Sequence, residues 1–160
     1  MVTNVDVVTS EFRDEEQGDD PNAIDKRAVP VGVEVYEING PFFFGAAYKF
    51  EEAMNIVEKS PRVRIIRMRN VPAIDSTGLN TLKKVRKDCE KHSIALLIAD
   101  IHTQPLFALE QSGLTELIGV ENIFGNIDDA LNRARELIGV PKQGLPGPFV
   151  PTVARERDRS

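Results

Sequence analysis

A chain of 160 residues and 17.8 kDa has room for one core and little else. With 41% hydrophobic and 28% charged residues it sits among ordinary globular proteins, outside the collagen-like, coiled-coil and wholly disordered classes. The formal net charge of -5, with no local basic patch, opposes phosphate backbones and argues against nucleic acid as a partner. Cys89 is the sole cysteine, which rules out an internal disulfide and a multi-cysteine metal site and points to a reducing, cytosolic compartment. The longest apolar run, Ile94 to Ala99, is far short of the ~20 residues that a spanning helix needs. The first residues lack the basic start and apolar stretch of a signal peptide, so the chain is expected in the cytosol or facing it.

In chain order, the valine-rich alternation from Asn4 to Thr9 predicts a short edge strand. Ser10 to Val29 carries seven acids against three bases and hardly any large apolar side chain, the composition of a flexible loop. Val31, Val33, Val35 and Ile38 alternate with polar residues up to Gly40-Pro41, a strand followed by a turn. After Phe42-Phe43-Phe44, the spacing of Ala46/Ala47, Phe50, Ala53/Met54 and Val57 predicts a helix over about 45–59. Val63 to Met68 reads as an apolar strand ended by Pro72. Asp75-Ser76-Thr77-Gly78 opens a second helix with Leu79, Leu82, Val85 and Cys89 on one face. Ile94 to Ala99 has the uninterrupted apolarity of a strand buried between layers. Thr103 is the expected cap of a short helix through Leu109 that Gly113 ends, and Val120 to Phe124 suits a last strand. Asn126 caps a final helix with Asp128 and Asp129 at the positive end of its dipole. The chain thus divides into a lead-in strand and acidic flexible loop over 1–30, a folded domain over 31–140, and a disordered proline-, glycine- and charge-rich tail over 141–160. The alternation of strand and helix is an α/β order with parallel crossovers.

Residues that could carry chemistry are few. His92 lies in a polar helix end, His102 precedes a helix cap, and Cys89 falls in an apolar stripe; bland structural roles account for all three. Neither a P-loop nor a G-x-G-x-x-G pattern occurs, and no metal or cofactor is expected. Three adjacent phenylalanines cannot all face one core from a single element, so Phe42, Phe43 and Phe44 either plug the core end or present an interaction patch. At Asp75-Ser76-Thr77-Gly78, Ser76 or Asp75 can cap backbone N–H groups, and Gly78 allows close packing. A phosphate on Ser76 or Thr77 would also suit the positive end of that helix. Capping and a regulated phosphosite both remain open on these residues alone.

The order apolar strand, Val71-Pro72-Ala73-Ile74-Asp75-Ser76-Thr77-Gly78-Leu79, helix, apolar strand and short helix ending Gln111-Ser112-Gly113-Leu114 resembles the STAS domain. Bacterial anti-sigma factor antagonists share that domain with the cytosolic C-terminal part of SulP-type sulfate and anion permeases. The resemblance covers about residues 31–138. It implies a small, mostly parallel mixed β-sheet packed by about four helices, without catalytic activity of its own. In the antagonists the position matching Ser76 is the serine phosphorylated by the partner kinase, assisted by an aspartate shortly after the glycine of the preceding turn. Here that turn reads Gly40-Pro41-Phe42-Phe43, so a phenylalanine stands where the acid would be, while Gly40-Pro41 leading into an aromatic block is similar to the transporter branch.

The resemblance therefore implies the cytosolic regulatory domain of a SulP-type anion permease belonging to a larger chain. Its implied partners are the membrane part of the same transporter, a cytosolic protein and a second copy of the domain. The implied surface comprises Asp75, Ser76, Thr77, Gly78 and Leu79 with the Phe42–Phe44 block. The alternatives are a free-standing antagonist switched by phosphorylation at Ser76, and a sensor that binds an anion or nucleotide at the Ser76 helix start.

Overall fold

The computed structural model describes residues 4–7, 24, 27–55 and 60–144. Among them stand five strands, β1 (Asn4–Val7), β2 (Val33–Asn39), β3 (Val63–Asn70), β4 (Ala95–Ala99) and β5 (Ile123–Phe124). The five α-helices are α1 (Phe44–Asn55), α2 (Ser76–Lys91), α3 (Thr103–Gln111), α4 (Leu114–Ile118) and α5 (Ile127–Ile138). The sheet order is β1-β2-β3-β4-β5, with β2 to β5 parallel and β1 antiparallel at the edge. This is the α/β, mostly parallel arrangement expected from the sequence.

Each parallel strand lies beside its sequence neighbour, so right-handed crossovers stepping in one direction place α1, α2 and the α3–α4 pair on the same face. The core there joins Tyr36, Ile38, Ile66, Met68 and Ile98 from the sheet to Phe50, Leu82, Leu109 and Leu114 from the helices. The opposite face of the sheet offers Val33, Val35, Val63, Ile65 and Leu97, which α5 covers with Ile127, Ala130, Leu131 and Ala134. Two-sided burial explains why β4 reads as a continuous apolar run.

Several boundaries differ from the sequence expectation for identifiable reasons. Val31 and Gly32 form a turn ahead of β2, with Gly32 at φ +92°, so the strand starts at Val33. Thr103 is not a cap: His102 occupies the N-cap position of α3 in extended conformation, and no side chain caps that end. The chain does not leave the helical layer after Gly113, whose φ of +79° turns it into α4 and gives five helices rather than about four. Gly119, at φ +100°, then directs Val120–Asn122 into a 3₁₀ turn, which leaves only Ile123–Phe124 for the last strand.

The acidic loop expected over Ser10–Val29 falls largely outside the described residues. Its described part is anchored: Ile24 is buried beneath α5, the Arg27 guanidinium donates to the Asp128 carboxylate at 3.0 Å, and Arg135 donates to the Ala28 carbonyl at 2.6 Å. At the other terminus Asn132 binds both the N–H and the carbonyl of Gln143, at 2.9 and 3.0 Å, which ties the start of the expected tail to α5. Residues 56–59 of the expected first helix and 145–160 of the tail lie outside the described residues.

Candidate functional site at the carboxyl ends of the parallel strands

In open α/β sheets the loops at the carboxyl ends of the strands gather in one place, where ligands and partners are met. Here those loops are Gly40–Phe43 after β2, Val71–Asp75 after β3, and Asp100–His102 after β4. The first two are joined by backbone. Phe42 and Ile74 form an isolated parallel bridge, Phe42 N–H donates to the Ala73 carbonyl at 2.9 Å, and Asp75 N–H donates to the Phe42 carbonyl at 3.5 Å. The aromatic block therefore lies directly against the start of α2.

Its three rings do not share one role. Phe42 is 0% exposed and packs edge-on against Phe50, with centroids 5.7 Å apart, so its placement on an interaction surface is corrected: it is a core residue. Phe43 points outward at 44% exposure. The Phe44 side chain lies outside the described residues.

Asp75 is the N-cap of α2, its Oδ1 accepting from Gly78 N–H at 2.9 Å. Of the two candidate caps the carboxylate thus takes the role, and Ser76, the first helical residue, is exposed. Thr77 and Leu79 are half-buried, and Leu79 packs against the helical core. Gly78 is buried, so it too is corrected from surface to packing residue. A Cβ there would stand 2.3 Å from the Phe42 carbonyl oxygen and 2.7 Å from both Ile74 Cγ1 and Phe42 Cδ2. The glycine is what lets the helix start press onto the bridge.

Two contacts from the third loop complete the site. The Gln104 carboxamide accepts from Ile74 N–H at 2.9 Å and donates to the Ile74 carbonyl at 3.4 Å, pairing as a strand backbone would. His102 Nε2 lies 2.5 Å from the Arg69 carbonyl and, having only an acceptor to meet, donates to it. Between these contacts Arg69, Asn70, Pro72, His102, Thr103 and Gln104 line an open groove of about 590 Å³.

Beneath the groove's β3 wall, on the α5 side of the sheet, lies a buried charge network. Glu37 and Arg67 are 1% and 2% exposed, with Arg67 Nε donating to Asp100 at 2.6 Å and Arg69 Nε donating to the second carboxylate, Glu37. Arg67 Nη1 and Glu37 Oε2 face each other at 4.0 Å without a hydrogen-bond partner. Asp100 reaches Arg67 from a left-handed backbone at φ 57° while its N–H donates to the Phe124 carbonyl at 3.0 Å. Burial leaves such ions costly unless paired, so this network fixes the strand ends rather than offering free charge. Sequence reasoning missed both the network and Gln104. Glu37 and Arg67 within strands whose neighbours are buried, and Asp100 just past the apolar β4, were the available signal.

Elsewhere the side chains with reactive potential are occupied structurally. Burial pushes the Cys89 thiol above its ordinary pKa, partly offset by the nearby Arg64 guanidinium, so the thiolate is disfavoured. His92 caps the carboxyl end of α2 beside Asp88. Among the described residues no cluster of three His, Cys, Asp or Glu side chains could hold a metal ion, and no helix is long and apolar enough to cross a membrane.

Comparison with known proteins matches the fold. The STAS domain profile fits residues 26–130. Bacillus subtilis YvdB, which is named for sulfate transport, is 30% identical over 105 residues, covering 65% of this chain and 20% of that protein. The chain thus spans about a fifth of that curated relative. A crystal structure of a sulfate transporter family protein from Wolinella succinogenes is 43% identical with a TM-score of 0.73, covering 76% of this chain and 100% of that one. The SulP transporter STAS domain of Vibrio cholerae is 32% identical with a TM-score of 0.62, over 70% of this chain and 88% of that one. Anti-sigma factor antagonists from Thermotoga maritima and Mycobacterium paratuberculosis, at 16% and 19% identity, share the fold alone.

Proposed function

The chain belongs to the STAS domain family, and from that premise we propose that it is the cytosolic regulatory domain of a SulP-type anion transporter, with sulfate or a related anion as the cargo. The observation that carries this reading is the 43% identity to a sulfate transporter family protein along the whole of that chain. Phe43 adds to it, because an exposed aromatic side chain occupies the turn where a phospho-switched antagonist would hold its carboxylate. Transport itself would belong to membrane segments, and among the described residues no helix is long and apolar enough to be one. The domain docks against them and against a cytosolic protein through Phe43, Ser76, Thr77 and Leu79, where an aromatic anchor borders polar groups as in many protein interfaces.

Ser76 gives that face a switch. A phosphate there adds about -1.5 to -2 charge beside the Asp75 carboxylate, and the two anions compete for the N–H groups that open α2. The same exposed hydroxyl supports the second reading, a free-standing antagonist phosphorylated by a cognate kinase.

Uptake of labelled sulfate by cells expressing the full-length protein tests the proposal. Deletion of residues 31–140 should abolish uptake, and Ser76→Asp should change it while leaving the amount of protein in the membrane intact. Uptake unaffected by the deletion would overturn the proposal, and uptake unaffected by Ser76→Asp would remove the switch from it.

A further inference from the structure

We propose that the outward face of α2 binds the anionic headgroups of a lipid leaflet through Lys83, Lys87 and Lys91. The chain as a whole is acidic, at -5, but its charge is unevenly spread. Helix α2 holds five bases (Lys83, Lys84, Arg86, Lys87, Lys91) and two acids (Asp88, Glu90), a net +3, so the rest of the chain carries -8, which is -5 minus 3. The two acids interrupt the run along the sequence and hide this face in the overall balance. Helical geometry and ion pairing bring it out.

The inner side of α2 faces the core, with Gly78, Thr81, Leu82, Val85 and Cys89 buried. Both acids of the helix are paired: Glu90 lies 3.1 Å from Arg86, and Asp88 is shared by Arg64 at 3.9 Å and His92 at 3.2 Å. Lys84 lies 3.6 Å from Glu51 of α1, and Arg86 also donates to the Leu117 carbonyl at 3.1 Å. Among the described residues Lys83, Lys87 and Lys91 enter no ion pair, with Lys87 and Lys91 exposed and Lys83 half-buried. They recur every fourth residue, so each stands about 40° further round the helix and about 6 Å further along it, and the three form one stripe about 12 Å long. Such a row of uncompensated cations suits an extended anionic surface. Lysine ammoniums are point charges without the planar fork by which arginine selects a single phosphate or carboxylate, and the stripe holds no aromatic side chain on which a base could stack. A leaflet requires neither. Its negative surface potential attracts basic side chains that come within about a Debye length, while the -8 of the remaining chain turns the other faces away. The choice of lipid over another polyanion rests on the transporter reading, which brings the domain to a membrane.

Co-sedimentation of the 160-residue chain with lipid vesicles at low salt tests the proposal. The chain should bind vesicles of phosphatidylglycerol and phosphatidylcholine in equal parts, should not bind vesicles of phosphatidylcholine alone, and should be released as salt is raised. Each lysine at an anionic surface is worth about fivefold in partitioning. A variant carrying Lys83→Gln, Lys87→Gln and Lys91→Gln should therefore lose about 100-fold, with its thermal melt unchanged. Lys142→Gln, which removes a lysine paired with Glu136 beyond α5 on the other face of the sheet, should bind like the parent. Equal partitioning into both kinds of vesicle, or binding to the anionic vesicles that survives the triple substitution, overturns the proposal and leaves the stripe to an acidic protein or to solvent. Neither result touches the transporter reading, because the assay contains no transport step and that reading fails or stands on uptake.

Discussion

Replacing Gly78 by alanine tests the close approach on which the candidate site is built. An added methyl carbon would stand 2.3 Å from the Phe42 carbonyl oxygen, about 1 Å inside ordinary contact, and 2.7 Å from Ile74 Cγ1 and Phe42 Cδ2. Neither neighbour can yield cheaply. The oxygen is backbone within the Phe42–Ile74 bridge, and the Phe42 ring is locked against Phe50. Overpacking of this kind costs about 1–3 kcal/mol. Displacing the bridge also sacrifices the Phe42–Ala73 and Asp75–Phe42 hydrogen bonds, at about 1 kcal/mol each. Alanine returns up to about 1 kcal/mol through its better helix propensity, so the net loss is about 2–4 kcal/mol. Gly45→Ala is the internal control. That glycine is exposed in α1 with nothing within 4 Å of an added Cβ, so the same substitution should stabilise by about 0.5–1 kcal/mol. Urea unfolding of the three proteins, compared at constant m-value, reads both effects. A Gly78→Ala protein within about 0.5 kcal/mol of the parent would refute the reasoning, because surface-like tolerance is incompatible with a backbone contact of that kind.

Asp75→Ala should cost about 1 kcal/mol in the same assay through loss of the α2 cap, whereas Asp75→Asn, which keeps an acceptor, should cost a few tenths. Gln104→Ala removes both hydrogen bonds to Ile74, so amide exchange at Ile74 should accelerate at least tenfold relative to the parent while exchange in β3 stays unchanged; equal acceleration throughout the sheet would show global loosening instead. Arg67→Ala should destabilise by about 3–5 kcal/mol, because it strands Asp100 and removes the cation facing Glu37; a change below about 1 kcal/mol would show that solvent reaches the network. Burial raises the pKa of Tyr36 above its ordinary value near 10, aided by its hydrogen bond to Glu34, and burial raises that of Cys89 above 9. The unfolded chain releases these protons first, so stability is fully present below about pH 9 and falls as pH rises through the folded pKa values. Tyr36→Phe should flatten the decline between pH 9 and 11 in thermal melts, and an unchanged slope would assign the decline to other groups.

Legibility from sequence followed the range of the interactions. The start of α2 could be read because its determinants, a capping carboxylate and a glycine three residues later, are local, and Asn126 capped α5 for the same reason. Five residues such as Leu114–Ile118 are too few for periodicity to register, so α4 was not foreseen. Positive φ at Gly119 directs Val120–Asn122 into a 3₁₀ turn and leaves only Ile123–Phe124 of the strand expected from Val120. Phe42, Phe43 and Phe44 look alike as a triplet. Only the bridge to Ile74 separates the buried Phe42 ring from the exposed Phe43 ring. Gln104 and His102 gained their partners thirty and thirty-three residues away through the crossing of α3 over the β3 end, which no local pattern encodes.

Whether this STAS domain is part of an anion transporter, as proposed, is read from an immunoblot of membrane and soluble fractions from source cells, probed with an antibody to the domain. A transporter domain gives a membrane band several times heavier than 17.8 kDa. A soluble band near 17.8 kDa would contradict it and turn attention to a kinase acting on Ser76.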